Sequence, residues 1–485
     1  MVAGAVALAG SELLAAVVPS TPSLVAAVGQ DVIIRVPPVV EDVAIEVFGT
    51  ADKVALVVGI VVVSLALAAA LGAVAVRRFS LAVLGFVMFG VVGTLSAMAT
   101  PGASVPGTVL TGALAVGGGV AVLRRLVVAL ARPPASAPRS PPEGAEWGRR
   151  RFVRLAGTGA GLALVAAAAG RGLARWVSGG SGPSDVVLRS PAASLPSPVP
   201  ATALDVEGLS PLFTPNADFY RIDTALVVPR VDLADWRLRV TGMVDRPFEL
   251  TFAELLDLDQ VEADITLSCV SNEVGGDLVG NARWQGVPLV ELLDRAGVRP
   301  GATQIVGRSI DGWTGGFPTD AVGDGRGALV AVGMNGEPLP LDHGFPARLV
   351  VAGLYGYVSA TKWLGEIELT TLDAFDGYWV PRGWSKLGPV DTQARIDVPR
   401  PRARLPAGRH VIAGVAWAPS RGIARVEVSV DEERWNDAVL SDALGVDAWR
   451  QWRYEWDARP GRHEIRVRAT DGEGRTQTAE RSLPR

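Results

Sequence analysis

The residue with the most distinctive chemistry is Cys269, the single cysteine of 485 residues. It follows a short apolar run, Ile265–Leu267, and Ser268. A polar, Gly-rich loop comes after it, in DITLSCVSNEVGGDLVG. Two readings fit that spacing. A lone cysteine at a strand end packs as a small apolar side chain. A thiolate presented to a polar loop is a soft metal ligand or a nucleophile. A nucleophile needs a neighbouring base, and of the three histidines (His343, His410 and His463) only His343 falls in the same part of the chain. One thiolate excludes an intrachain disulfide and any zinc or iron–sulfur centre built from cysteines alone. No histidine precedes His343, so no haem with two histidine axial ligands is expected in the front of the chain.

Two later strings carry basic and hydroxyl side chains, whose grouping rests on the resemblance given below. His343 and Arg348 lie in LPLDHGFPARLVV, and Ser359, Thr361 and Lys362 follow in GYVSATKW. Arginine offers a planar fork and lysine a point charge, and both suit a phosphate. Taken singly, each has an ordinary reading. Arg348 fits a charge at a strand end, Lys362 fits a side chain snorkelling beside Trp363, and His343 fits a solvated turn.

These residues need a globular scaffold, which the composition places in the second part of the chain. Residues 1–180 hold 14 basic and 8 acidic residues, a balance of +6, against 32 and 42 in the remainder. A basic, apolar front followed by an acidic, soluble back predicts a membrane part and then a folded part. No basic patch interleaved with aromatics occurs on a soluble element, so nucleic acid is not an expected partner. From 204 onward short apolar runs alternate with charges and turns. Thr251-Phe-Ala-Glu-Leu-Leu and Pro288–Ala296 carry helix starts, and WRLRVTGMV and ARLVV read as strands. The pattern predicts an α+β domain over 204–392. Residues 393–485 show alternating runs at His410–Trp417, Ile423–Val430, Trp449–Trp456 and His463–Ala469, which predict a β-sandwich. His410 and His463 lack ligand spacing and read as surface residues.

The front of the chain carries uncharged runs at Val54–Val76, Phe79–Thr100 and Val105–Leu123, each long enough to cross hydrocarbon as a helix. Arg77, Arg78, Arg124, Arg125 and Arg132 mark the cytoplasmic side. On that topology residues 1–18 form an earlier outward crossing and 19–50 lie outside. The transmembrane region is thus 1–131, followed by a Pro-rich cytoplasmic linker at 132–148. Residues 149–177 begin with Arg149, Arg150, Arg151, Phe152, Val153 and Arg154 and continue into a mild apolar run. They read either as a twin-arginine export signal or as a positive flank before a last membrane helix. Both readings place the rest of the chain outside the cytoplasm, beyond a flexible tether at 178–203. The membrane helices number four or five.

Taken in order, TPNADFYRID, WRLRVTGMV, the Cys269 loop ending in ARWQGVPL, and LPLDHGFPARLVVAGLYGYVSATKWLGEIEL resemble the molybdopterin domain of the sulfite oxidase family, over about 205–390. The HGFPxRLVV and KWLGEIEL strings are specific. The resemblance implies one molybdenum–molybdopterin cofactor, with Cys269 matching the cysteine that binds the metal. Tyr220 and Arg221 match contacts to the pterin, and Ser309 falls where relatives place a Thr near the cofactor. His343 and Arg348 match the pair that grips the pterin and its phosphate. Ser359, Thr361 and Lys362 match the loop that closes over the phosphate. Tyr378 sits where the family places a tyrosine facing the metal, with Trp379 lining the pocket. The tail is similar to the family's immunoglobulin-like dimerisation domain, which implies a homodimer.

The chain departs from the family where sulfite is bound. Ile222 and Thr224 stand in the register of an arginine and a histidine. Arg283 and Arg221 are the candidates to replace them, with Arg283 taken as catalytic beside Cys269 and Tyr378. A methionine-sulfoxide reductase branch has Glu and Asn where Arg221 and His343 stand here. The expected function is a membrane-anchored, extracytoplasmic molybdenum oxidoreductase. It moves an oxygen atom to or from a small substrate and exchanges electrons with a separate cytochrome or quinone system. The alternatives are a sulfoxide or N-oxide reductase of the same fold, or a membrane-tethered binding protein with a vestigial cofactor domain.

Overall fold

In the computed structural model, residues 1–18, 21–37, 40, 43–44, 47–48, 52–100, 103–130, 153–161, 163, 165–166, 181–432 and 434–480 are described. The linker 132–148 and the arginines at 149–151 lie outside these residues. The chain divides into two compact units, one of 1–179 with 224–228 and one of 180–223 with 229–485.

The first unit is helical because its sequence is almost all apolar. Its helices are α1 (Val2–Val17), α2 (Leu24–Arg35), α3 (Asp52–Ala75), α4 (Phe79–Met98) and α5 (Val105–Leu130). The last three are long and apolar enough to cross a membrane. The helix expected at 1–18 is α1, shorter than those three at 16 residues. Residues 19–50, expected as an exterior stretch, contain α2. Ser23 accepts from the Ala26 N–H at its start and donates to Glu12 at 2.9 Å. Leu24 and Ala27 pack with Ala97 of α4. Elsewhere small residues carry the packing, with Ala3, Ala68, Ala75 and Ala82 buried around Phe86 and Leu123. Small side chains let helix backbones approach closely.

The second unit is built on sheets. Its first ten strands are β1 (Arg237–Gly242), β2 (Phe248–Thr251), β3 (Val261–Ser268), β4 (Val279–Pro288), β5 (Gln304–Ser309), β6 (Thr314–Pro318), β7 (Ala328–Met334), β8 (Glu337–Pro338), β9 (Arg348–Val351) and β10 (Leu364–Thr370). One sheet has the order β2-β1-β10-β5-β6, and the other runs β3-β4-β7-β8 with β9 on β7. Both anticipated helices form. In α6 (Phe252–Asp257), Thr251 and Glu254 make a reciprocal capping box. Helix α7 (Leu289–Ala296) ends at Gly297, whose φ of 69° is the left-handed stop that glycine accepts. One core joins the layers. Trp236 donates its indole N–H to the Leu364 carbonyl and Trp284 donates to Ile265.

The tail forms a four-stranded and a three-stranded sheet. The first is β11 (Gln393–Val398), β12 (Gly408–Trp417), β16 (Arg450–Ala458) and β15 (Val439–Leu440). The second is β14 (Asn436–Asp437), β13 (Ile423–Val430) and β17 (Ile465–Asp471). Their buried faces share a core of Ile412, Ala416, Val426, Val428 and Trp452. The tail is clamped onto the strand that leads to Cys269. The Trp449 N–H donates to the Thr266 hydroxyl at 2.7 Å, its indole donates to Leu212, and the Thr266 N–H donates to the Asp447 carbonyl. Trp449→Ala is expected to lower stability by about 3–5 kcal/mol, the usual range for emptying a buried tryptophan site. Denaturant unfolding of the purified protein measures it.

The stretch expected as a flexible tether is not free over its described part. The Ala192 and Ala193 N–H groups donate to the Gln260 carbonyl, and Ala193 bridges Val261. The Gln285 amide donates to Arg189, and Glu262 accepts from the Leu195 N–H. Its many prolines leave few N–H donors of its own, yet its carbonyls and the edge of β3 are partners enough to pin it.

Candidate functional site

Cys269 caps β3 with its side chain 8% exposed. Its N–H donates to the Leu278 carbonyl, and its carbonyl accepts from Asn272. The Asn272 side chain then accepts from the Leu278 N–H and closes the loop. Burial pushes the thiol above its ordinary range, partly offset by hydrogen bonds from Ser271. No histidine partners it, so the nucleophile reading gains nothing. Among the described residues no group of three His, Cys, Asp or Glu can hold a metal. A metal at Cys269 therefore needs most of its donors from a bound group.

Tyr220 stands beside Cys269. A Cβ added at Gly356 would lie 3.8 Å from the Tyr220 hydroxyl and 3.9 Å from the Ser268 carbonyl. The phenol is pushed well above its usual range by burial and by the nearby thiol, while Arg348 pulls it down. Gly356 opens the short helix α8 (Gly356–Ser359). Tyr220 thus lies close to both Cys269 and Arg348.

Arg348 opens β9 and is 5% exposed. Its one well-formed hydrogen bond goes to the His343 carbonyl at 3.1 Å, and its guanidinium lies over the Trp284 ring at 5.1 Å. No carboxylate pairs with it among the described residues. Burial pulls it down to about 10. An unpaired buried cation is costly, and an anionic ligand would relieve it. His343 is also buried. Its Nε2 meets the Asn216 carbonyl at 2.9 Å, and Phe219 lies edge-on to the ring. Burial lowers it to about 4, helped by Arg348 and Lys362, so the ring is neutral near pH 7. The turn between them is tight: a Cβ at Gly344 (φ 107°) would come within 3.0 Å of the Lys362 Cα.

The histidine gives a pH prediction. Unfolded, it has its ordinary value of 6.5, and folded about 4. As pH falls, the unfolded chain takes the proton first. The stability from burying a neutral ring is full above 6.5 and is lost as pH falls towards 4. His343→Gln is expected to flatten the melting temperature against pH between those values, as measured by a thermal-shift series.

Lys362 is occupied otherwise than expected. Its ammonium contacts the Asp223 carboxylate at 2.6 Å and donates to the Asp342 carbonyl at 3.1 Å. Burial lowers it to about 8 against the pull of Asp223. Arg221 bonds the same Asp223 oxygen at 2.9 Å and Asp342 at 2.9 Å. The Ser359 hydroxyl turns back to the Leu354 and Tyr355 carbonyls. The Thr361 hydroxyl is buried without a partner. Ser309 ends β5, and its hydroxyl accepts only a long contact from Asp311. Neighbouring Ile310 reaches the same loop by donating to the Trp363 carbonyl.

One candidate lies apart. The structure does not bring Arg283 to Cys269. Arg283 faces Asp264 across β3 and β4 in a two-pronged pair at 2.8 and 2.9 Å. That register is five residues before Cys269, about 16 Å along the strand. Tyr378 belongs to an aromatic loop. Its N–H donates to Thr314, Trp379 lies edge-on to it, and the Arg382 guanidinium covers its ring at 3.8 Å. Trp379 stacks on Trp384, which meets Tyr357 of α8. Asp223, Asp342 and Trp284 were not anticipated. The signal for Asp223 was available: in an extended segment, residues two apart face the same side, which places it with Arg221.

A family model described as "Oxidoreductase molybdopterin binding domain" matches residues 225–379. The chain is 34% identical over 157 residues to the uncharacterized oxidoreductase YuiH of Bacillus subtilis (strain 168), covering 32% of this chain and 76% of that protein. The chain belongs to the sulfite oxidase family of molybdopterin oxidoreductases. It is 28% identical over 306 residues to human mitochondrial sulfite oxidase, covering 52% of this chain and 55% of the relative. The chain thus spans about half the length of the curated sulfite oxidases it matches. The crystal structure of the sulfane dehydrogenase SoxCD from Paracoccus pantotrophus superposes with a TM-score of 0.50 at 25% identity, over 57% of this chain and 76% of that one.

A molybdopterin-binding domain implies a molybdenum cofactor, and the chemistry of the residues present fits one. Cys269 offers a soft sulfur and, among the described residues, Arg348 is a buried cation without a carboxylate and Thr361 a buried hydroxyl without a partner. In this oxidoreductase of the family, Arg221 and Lys362 are already paired with the carboxylates of Asp223 and Asp342.

Proposed function

We propose that this chain is a membrane-anchored oxidoreductase that holds molybdenum–molybdopterin outside the cytoplasm and moves an oxygen atom to or from a small substrate. The observation that carries the reading is Arg348, buried beside Tyr220 and Cys269 with no carboxylate of its own. When bound, the cofactor supplies two-electron redox chemistry at its metal. Cys269 would give that metal a protein sulfur. Arg348 would hold the pterin or its phosphate through a planar fork, with Trp284 behind it. His343, neutral, would have one ring nitrogen left for the pterin, because the other is committed to Asn216. Tyr220, kept protonated, donates a proton-bearing hydroxyl beside the sulfur. Thr361 would lie on the phosphate side, where Lys362 would act only through its pair with Asp223, and Ser359 and Ser309 would shape the backbone there. Tyr378 and Trp379 would form the substrate-facing wall, steadied by Arg382.

The three long helices anchor the chain in a membrane, and the arginines flanking them favour an extracytoplasmic catalytic domain. Residues 149–177 serve as its twin-arginine-like segment. The two tail sheets are read as an immunoglobulin-like domain capable of pairing two copies. Electrons pass to or from a separate partner, a cytochrome or a quinone system. The domain limits are those of the sequence reading, with 181–203 as a strap along the catalytic domain.

One observation favours a second reading of the substrate. Arg221 and Arg283 are each spent on carboxylates, so the arginines nominated to bind sulfite are neutralised. A neutral sulfoxide or N-oxide fits that charge balance better than an oxyanion. The test uses protein purified from membranes. Stoichiometric molybdenum and a pterin fluorescence signal are expected. A panel of sulfite, sulfoxides and N-oxides with artificial electron donors and acceptors then ranks the substrates. Fully folded protein without molybdenum or pterin would end the enzyme reading.

A further inference from the structure

The helical unit contains a cavity of about 570 Å³. Along α3 it is lined from Ala55 to Leu71, a length of about 24 Å at the helical rise. That volume spread over that length makes a narrow channel, suited to a chain rather than a compact ligand. Among the described residues, two polar side chains line it, Ser11 and Ser64. Ser11 donates to the Leu8 carbonyl at 2.7 Å within its own helix. Ser64 is 6% exposed, faces the cavity, and makes no hydrogen bond among the described residues.

Ser64 is therefore a buried donor aimed into an apolar channel. It lies twelve residues into α3, roughly 17 Å from either end. In a bilayer with about 30 Å of hydrocarbon, that is the midplane. A phospholipid brings only hydrocarbon to that depth, because its polar groups stay at the interface. A ligand that meets Ser64 needs an uncharged head with an acceptor, light enough in polarity to descend, and a long apolar tail. We propose that this channel binds a prenylated quinone, with its isoprenoid chain along α3 and a ring carbonyl accepting from the Ser64 hydroxyl. The proposal rests on the membrane-anchored reading above and narrows its electron partner to the quinone class.

The full chain in phosphatidylcholine nanodiscs provides the test, with a photoreactive azido-ubiquinone as probe and unlabelled decylubiquinone as competitor. Labelling of peptides within 55–71 that decylubiquinone displaces is expected. Ser64→Ala should raise the competing concentration about fivefold, the weight of one neutral hydrogen bond. Gly59 lines the channel, and a Cβ there meets nothing within 4 Å, so Gly59→Leu should fold normally and abolish displaceable labelling. Gly117 has the same free space but does not line the channel, so Gly117→Leu should label like wild type. Labelling of 55–71 that neither substitution changes would overturn the proposal. So would a photoreactive phosphatidylcholine that labels the same peptides and resists decylubiquinone. Alkaline extraction of the protein from native membranes is read separately, since release there would refute the anchored reading and not merely the quinone.

Discussion

Arg348→Met is expected to leave a folded protein that has lost its cofactor. A lone buried cation contributes little to stability, and an apolar side chain of similar volume in its place is neutral or stabilising. The melting temperature should hold or rise. The pterin should not hold, because one charge-assisted hydrogen bond to an anion is worth about 1.5–3 kcal/mol. At about 2 kcal/mol that is roughly thirtyfold in affinity. Pterin fluorescence of the purified variant should fall to a few per cent of wild type after dialysis. Arg348→Lys keeps the charge and loses the fork, so intermediate retention is expected. Undiminished pterin in Arg348→Met would show that the buried guanidinium serves packing against Trp284 and nothing more.

Cys269→Ser is expected to separate metal from pterin. A serine oxygen keeps the size of the side chain and removes the soft donor. Metal sites lose 10–100-fold in affinity or activity when only an outer partner is removed, so removing a ligand should cost at least about 100-fold in turnover. Molybdenum should drop well below stoichiometry, while pterin, held on the Arg348 side, survives better. Burial raises the thiol, so the metal-free protein should react slowly with a thiol reagent at neutral pH and faster as pH rises. Metal content and turnover unchanged by this substitution would remove Cys269 from the site.

Much of this was legible in the chain. The three long apolar helices follow from uninterrupted hydrocarbon side chains, a signal that needs no tertiary context. The capping box at Thr251 and Glu254 and the proline start at Pro288 marked α6 and α7. The HGFPxR string placed His343 and Arg348 together because five residues of tight turn cannot separate them. Other features were invisible because they depend on long-range pairing. Lys362 meets Asp223 across 139 positions, and no local pattern reports that. Arg283 looked available until β3 and β4 aligned and set Asp264 opposite it. Helix α2 was missed although its start is signalled locally, by Ser23 accepting from the Ala26 N–H.

The contact between Thr266 and Trp449 ties two fates together. Thr266 is three positions before Cys269, and its hydroxyl bridges Trp449 to Asn281 on the facing strand. A chain cut short near 392 would leave that strand without its splint, so the sulfur would be held by a backbone free to drift. The tail is then less an appendage than part of the mounting of the metal. Damage far from Cys269, by proteolysis or by a change in the last hundred residues, would register first as a loosened cofactor.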